Sequence, residues 1–141
     1  MSEKKDDATL WLSPLVLDQG FGVQFRGDHV HVELSKDFKP EAGHRQDLWN
    51  VIGAACEQHG SRRVLVEGVL PAGERETADV IDAGQKTATV PKLWLAFAVQ
   101  DFQPSAQTEL YEVIAASLGV RVKFFTDRER ALNWLRQNTP A

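Results

Sequence analysis

The chain has 141 residues, of which 43% are hydrophobic, and a formal net charge of −4. This length suits one domain with a buried core. Binding to a polyanion requires clustered Lys and Arg, whereas the 16 basic residues here are scattered among 20 acidic ones. The composition therefore argues against a nucleic-acid-binding protein. The single Cys56 excludes an internal disulfide, and we expect it to pack as a small hydrophobe in a helix.

The first residues, MSEKKDDATL, contain no apolar segment typical of a secretory signal. The sequence also has no run of about 18 apolar residues that could span a membrane. We therefore expect a cytoplasmic protein of bacterial type. Residues 1–9 are predicted to be a flexible leader.

Residues 10–20 are predicted to be an apolar arm or an edge strand, because Pro14 disfavours a central strand. An exposed apolar segment of this kind requires a partner. We therefore expect a protein partner or self-association, with a homodimer as the simplest form. The predicted interface residues are Leu10, Trp11, Leu12, Leu15, Val16 and Leu17.

A β-hairpin is predicted next, with Gly27-Asp28 as its two-residue turn. This turn fixes a register in which the apolar residues of both strands share one face. The predicted apolar pairs are Phe25–Val30, Val23–Val32 and Phe21–Leu34. The other face carries the polar pairs Arg26–His29 and Gln24–His31, and we interpret it as solvated.

After the hairpin, the hydrophobic period changes to that of helices alternating with strands. Strands are predicted at residues 63–70, 92–99 and 120–125. A helix is predicted at residues 73–88, and a last helix is expected to begin with a capping box formed by Thr126 and Glu129. The predicted core stripes of the other two helices are Leu48, Val51, Ile52 and Ala55, and Leu110, Val113, Ile114 and Leu118.

The order of elements is thus β-β-α-β-α-β-α-β-α within residues 21–138. Alternating strands and helices favour right-handed crossovers and a mostly parallel sheet. The predicted fold is a single-domain α/β protein with a mixed five-stranded sheet, whose first strand is antiparallel, and four helices.

This order, together with the final segment VRVKFFTDRERALNWL, resembles the STAS-domain superfamily, specifically its SpoIIAA-like group. Members often end with a strand, an acidic cap region and a helix carrying Ala-Leu-x-Trp-Leu, here Ala131 to Leu135. The similarity covers residues 21–137. It implies a non-enzymatic protein-interaction or regulatory module.

One departure from the family concerns the end of the third strand. Anti-sigma-factor antagonists of this fold carry a phosphorylatable Ser or Thr there, usually after Asp. This chain has Glu67-Gly68-Val69 instead, and its next hydroxyl is that of Thr77. We therefore do not expect a phosphorylation switch of that type.

His29, His31 and Glu33 alternate along the second hairpin strand, so their side chains share a face. The two ends of this set lie about 13 Å apart along the strand, too far for one ion. A metal site would need His29 and His31 together with a ligand from elsewhere. We favour solvated polar pairs, with no metal and no cofactor.

A small-ligand site, for a lipid or a nucleotide, is the alternative function. The loop that leaves the third strand and enters a helix is the usual ligand position in parallel sheets. Its predicted residues are Glu67, Gly68, Leu70, Gly73 and Val80.

Acidic residues of the following helix offer a second site to consider. Glu76, Asp79 and Asp82 are interpreted as a solvated face, because charged residues interleaved with basic ones are usually exposed. No catalytic constellation is identified, so no enzyme activity is predicted.

Overall fold

The structure is a computed structural model that describes residues 20–35, 42–68 and 77–139. Its elements have the predicted order β-β-α-β-α-β-α-β-α. The strands are β1 (Phe21–Phe25), β2 (Val30–Leu34), β3 (Arg63–Gly68), β4 (Trp94–Ala98) and β5 (Arg121–Phe125). The helices are α1 (Ala42–His59), α2 (Thr77–Thr87), α3 (Ala106–Ser117) and α4 (Arg128–Asn138).

The five strands form one sheet in the order β1-β2-β3-β4-β5. Strand β1 is antiparallel to β2, and the remaining neighbours are parallel. The predicted fold class is therefore confirmed. The predicted leader (residues 1–9), the arm residues 10–19 and the loop residues Leu70 and Gly73 lie outside the described residues.

The β1–β2 hairpin has the predicted register, with Phe25 opposite Val30 and Phe21 opposite Leu34. The backbone amide of Arg26 donates to the His29 carbonyl at 2.9 Å and closes the turn. Gly27 adopts a φ of 89° there, a conformation that residues with a side chain rarely adopt. The turn chemistry and the alternation of apolar residues together fix this register.

One face of the sheet, which we call the first face, is covered by α1, α2 and α3. These helices connect parallel strands, and right-handed crossovers place such connections on the same side. Helix α1 packs on β1 and β2, α3 packs on β5, and α2 lies against both α1 and α3. The core on this face includes Val32, Ile52, Val66, Leu95 and Val120.

Two of the predicted helical core stripes are partly wrong. Val51 is 43% exposed on α1, and Val113 on α3 and Leu118 just after it are 62% and 52% exposed. Each helix is rotated toward a neighbouring aromatic position, because Trp49 is buried on α1 and Tyr111 packs against the core on α3. Large rings bury more apolar area than valine, so they take the inward positions.

The opposite face, which we call the second face, is covered by α4 alone among the described helices, where it contacts β3, β4 and β5. A smaller core forms here from Leu65, Ala96, Ala98, Ala131 and Leu135, with Trp94 and Trp134 packed against it. The apolar residues of the Ala-Leu-x-Trp-Leu segment, Ala131 to Leu135, thus face this core.

Asp127, and not Thr126, caps α4. The Asp127 Oδ1 atom accepts a hydrogen bond from the Arg130 amide at 2.8 Å. The helix begins at Arg128, one residue later than the predicted capping box requires, so Glu129 is not at the third helical position. A carboxylate at this end also interacts favourably with the helix dipole.

Candidate functional site

His31 lies on the second face in the middle of β2 and is fully buried. The prediction that this face is solvated is therefore wrong at His31, and it is also wrong at His29, which is buried. Strand β2 lies between β1 and β3, so His31 has Gln24 on one side and Leu65 on the other. Gln24 is buried as well, and polar groups removed from water in this way need hydrogen-bond partners.

Only one of the two ring nitrogens of His31 has such a partner. The Nε2 atom lies 3.0 Å from Glu33 Oε1 and donates to it in the neutral imidazole. The Nδ1 atom has no hydrogen-bond partner, although Glu67 Oε1 lies 3.5 Å away. Burial lowers the pKa of His31, against the opposing effect of the Glu33 hydrogen bond. The neutral ring therefore presents a buried lone pair to a carboxylate.

Glu67 reaches this position because β2 and β3 are parallel and in register. Glu33 is paired with Glu67, and His31 with Leu65, so all four side chains share the second face. Together, His31, Glu33 and Glu67 place one potential ligand atom each within 4.8 Å of one another. On the sequence alone, His31 belongs to the metal hypothesis and Glu67 to the predicted small-ligand site, and the structure joins these two sites.

Glu67, whose side chain is 15% exposed, also links this cluster to α4. Its Oε1 atom accepts a 2.8 Å hydrogen bond from Nε of Arg128, whose side chain is 59% exposed. An open cavity of about 520 Å³ lies above this pair. It is lined by Glu67, Arg128, Glu129, Leu132, Asn133 and Arg136.

His29, the other histidine in the sequence-based metal hypothesis, does not belong to the cluster of His31, Glu33 and Glu67. Its Nδ1 atom lies 2.7 Å from Asp28 Oδ1, and Asp28 also accepts a 2.7 Å hydrogen bond from Arg136 of α4. Partial burial alone would raise the pKa of Asp28, but the hydrogen bonds from Arg136 and His29 outweigh it and lower the pKa to about 2. His29 thus contributes to a link between the hairpin turn and α4.

Of the three predicted small-ligand residues that the structure describes, it brings together only the two that are adjacent in sequence, Glu67 and Gly68. Gly68 follows Glu67 at the end of β3 with a φ of 120°, and a Cβ there would collide with the Leu34 carbonyl. Val80 is buried in α2, which packs against the helices of the first face. It therefore lies on the other side of the sheet from Glu67.

Two acidic residues of α2 lie beside one arginine of α1, a contact that the sequence did not predict. Asp82 accepts a 2.8 Å hydrogen bond from Nη1 of the buried Arg45 on α1, and Asp79 lies 3.6 Å from Nη2 of the same side chain. Asp79 remains exposed. The prediction of a solvated face therefore fails for Asp82, which joins α1 to α2.

A second surface feature, the α3–β5 groove, lies between α3, β5 and α4. It has a volume of about 490 Å³ and is open to solvent. Its apolar lining is Val113, Ala116, Val122 and Trp134, and its charged lining is Glu109, Glu112 and Arg121. Burial and the nearby Glu109 raise the pKa of Glu112, and Lys123 opposes this shift.

Comparisons of the chain with family models, with curated proteins and with solved structures found no match. The fold itself defines an α/β protein with a mixed, mostly parallel sheet. The STAS-like relationship stays a prediction, based on the element order and on the sequence of β5 and α4. Among the described residues, no helix has the length and apolar character needed to cross a bilayer.

Proposed function

We propose that this chain is a non-enzymatic, STAS-like interaction module of a cytoplasmic bacterial protein, and that it acts as a homodimer. The order of elements and the packing of Ala131 and Leu135 of α4 against the sheet support the STAS-like assignment. The observation that carries the interaction role is the exposed Val113 side chain at the α3–β5 groove.

The groove has the composition of a protein interface. Its lining combines apolar side chains with acidic and basic ones, and interfaces commonly combine an apolar centre with a polar rim. Val113 is 62% exposed, so covering it with a partner would remove most of its side chain from water. That burial favours association.

The edge of β5 is a less favourable contact surface than the groove. It is the last strand of the sheet, and Arg121 and Lys123 are both exposed on it. Positive charges on an edge strand oppose pairing with a second strand of the same kind. We therefore propose that the dimer contact lies in the groove and that the β5 strands of the two copies do not pair.

The proposed occupant of the groove is the apolar arm of a second copy of the chain. Residues Leu10–Leu17 contain six apolar residues in eight. Apolar side chains of this kind would pack against Val113, Val122 and Trp134. In a two-fold dimer each copy offers both an arm and a groove, so the same contact forms twice.

Light scattering with size-exclusion chromatography tests this proposal. The full chain is expected to elute as a dimer, and both Val113→Asp and deletion of residues 1–17 are expected to give monomers. The matched control is Val51→Asp, because Val51 is also an exposed valine on a helix but does not line the groove. A monomeric full chain, or a Val113→Asp variant that stays dimeric, would contradict the proposal.

Small-ligand binding is the second candidate function, and the cavity above Glu67 favours it. Arg128 and Arg136 line this cavity, and guanidinium groups suit phosphate, so a nucleotide fits it better than a lipid. A thermal-shift measurement with nucleoside mono- and diphosphates is expected to raise the melting temperature. The absence of any shift at millimolar nucleotide would contradict this role.

A further inference from the structure

We propose that His31 Nδ1 and the Glu67 carboxylate bind a divalent transition-metal ion of the Zn²⁺ class, with Glu33 orienting the imidazole. No residue of this site lines the α3–β5 groove. The inference is therefore independent of the proposed dimer, and either can fail without the other.

The separation of the two donor atoms suits a single ion. His31 Nδ1 and Glu67 Oε1 lie 3.5 Å apart. Zinc–nitrogen and zinc–oxygen bonds are about 2.0 to 2.2 Å long, so two ligands at a tetrahedral angle are about 3.4 Å apart. Imidazole nitrogen and carboxylate oxygen are both ligand types that zinc accepts, and water would fill the remaining coordination positions.

The hydrogen bond of His31 Nε2 leaves Nδ1 as the nitrogen that can bind a metal ion. Its Nε2–H group donates to Glu33 at 3.0 Å, which leaves the lone pair on Nδ1. This nitrogen is buried and has no hydrogen-bond partner. Metal-ligating histidines usually donate their other ring N–H group to a carboxylate or a carbonyl, which fixes the ring and makes it a stronger ligand. Glu33 has this relationship to His31.

A buried nitrogen without a hydrogen-bond partner destabilises the folded state. Leaving a buried acceptor without a partner is unfavourable, and here the nearest oxygen of Glu67 is itself an acceptor, which already takes a hydrogen bond from Arg128. A cation between the two would satisfy both atoms. Because both atoms are acceptors, they cannot hydrogen-bond to each other, and we therefore assign a cation to the position between them.

Arg128 provides a cation for Glu67 when no metal is bound. Its Nε atom donates to the same Oε1 atom at 2.8 Å, and its side chain is 59% exposed, so it can move away into solvent. The cavity above Glu67 offers an entry path and water for the remaining coordination positions. Arg128 and the metal ion therefore compete for one carboxylate.

This competition predicts that removing Arg128 increases the affinity for the metal ion. Removing an ion-pair partner usually weakens a structure, but Arg128→Gln is expected to tighten metal binding several-fold. Glu67→Gln is expected to weaken binding at least 10-fold, and Glu33→Gln about 10- to 100-fold, as is typical for groups that orient a ligand. Isothermal titration with ZnCl₂, using the full chain, measures all three.

Two variants control for surface effects. Arg130→Gln removes an arginine of the same helix that is 77% exposed and lies near Asp127, and His59→Gln removes an imidazole that stacks on Phe25. Both are expected to bind Zn²⁺ as the parent chain does. Circular dichroism confirms that each variant is folded, and Arg128→Gln keeps the test valid if the Glu67 variant is not.

Three results would overturn the metal site. The first is the absence of saturable Zn²⁺ binding by the parent chain. The second is unchanged affinity in Glu67→Gln. The third is an affinity in Arg128→Gln that is equal to or lower than that of the parent, because the proposed competition requires an increase.

Discussion

Asp28, in the turn of the β-hairpin, accepts a 2.7 Å hydrogen bond from Nε of Arg136, which lies 108 positions further along the chain in α4. The beginning of the same helix is held by the contact between Arg128 and Glu67. Helix α4 is thus attached near both of its ends, through Arg128 to β3 and through Arg136 to the turn before β2. Its position over the second face depends on charged contacts as well as on the small apolar core.

The contact between Asp28 and Arg136 predicts a pH-dependent stability. Because the pKa of Asp28 is lowered from 3.8 to about 2 in the folded chain, its contribution is present above pH of about 4 and is lost as the pH falls toward 2. We expect Asp28→Asn to destabilise the chain by about 1 kcal/mol at neutral pH, since solvent screens a partly exposed pair. Urea unfolding at several pH values measures this difference.

The control for this prediction is Asp101→Asn, at an exposed turn position. It is expected to change the free energy of unfolding by less than about 0.5 kcal/mol at any of these pH values. A difference between the parent chain and Asp28→Asn that stays constant from neutral pH down to about 3 would contradict the role assigned to Asp28.

A glycine on α2 is predicted to be required by close helix packing. A Cβ at Gly84 would lie 2.5 Å from Ile114 Cγ2 on α3, so Gly84→Ala is expected to destabilise the chain by about 1 to 3 kcal/mol through overpacking. Gly53→Ala is the matched control. Its Cβ would make an ordinary 3.5 Å contact with Val90, and alanine is favoured over glycine in a helix by up to about 1 kcal/mol.

Thermal denaturation of the two glycine variants gives the comparison. Gly84→Ala should melt below the parent chain, and Gly53→Ala at or above it. Equal melting temperatures for the two variants would show that α2 and α3 do not approach each other as closely as the structure has them.

The cap of α4 gives a third comparison between neighbouring residues. Asp127→Ala is expected to cost about 1 kcal/mol, because it removes the acceptor for the Arg130 amide. Thr126→Ala should cost less than about 0.5 kcal/mol, as a substitution away from the cap. Free energies of unfolding in urea distinguish the two. A larger loss of unfolding free energy in Thr126→Ala than in Asp127→Ala would indicate that Thr126 caps the helix, as the sequence predicts.

The sequence was most informative where two independent patterns agree. In the hairpin, the Gly27-Asp28 turn and the period-two alternation select the same register, and that register is observed. On α1 and α3 the only pattern is the helical spacing of apolar residues. This spacing does not determine which of two adjacent helix faces is buried. Val51 and Val113 were therefore assigned to the core although they are exposed.

The contact between His31 and Glu67 could not be predicted by local reasoning. It depends on the parallel register of β2 and β3, which pairs Glu33 with Glu67, and no turn connects these strands to fix that register. One observation could have indicated it. Glu67 alternates with Val64 and Val66 along β3, so it lies on the same face as Leu65 and away from the first core.

The measurement that tests the arrangement on the second face most directly is the tautomer of His31, from the ¹⁵N chemical shifts of its ring at neutral pH without added metal. The structure predicts a neutral imidazole protonated at Nε2, with Nδ1 carrying the lone pair that faces Glu67. A ring protonated at Nδ1, or at both nitrogens, would contradict this arrangement.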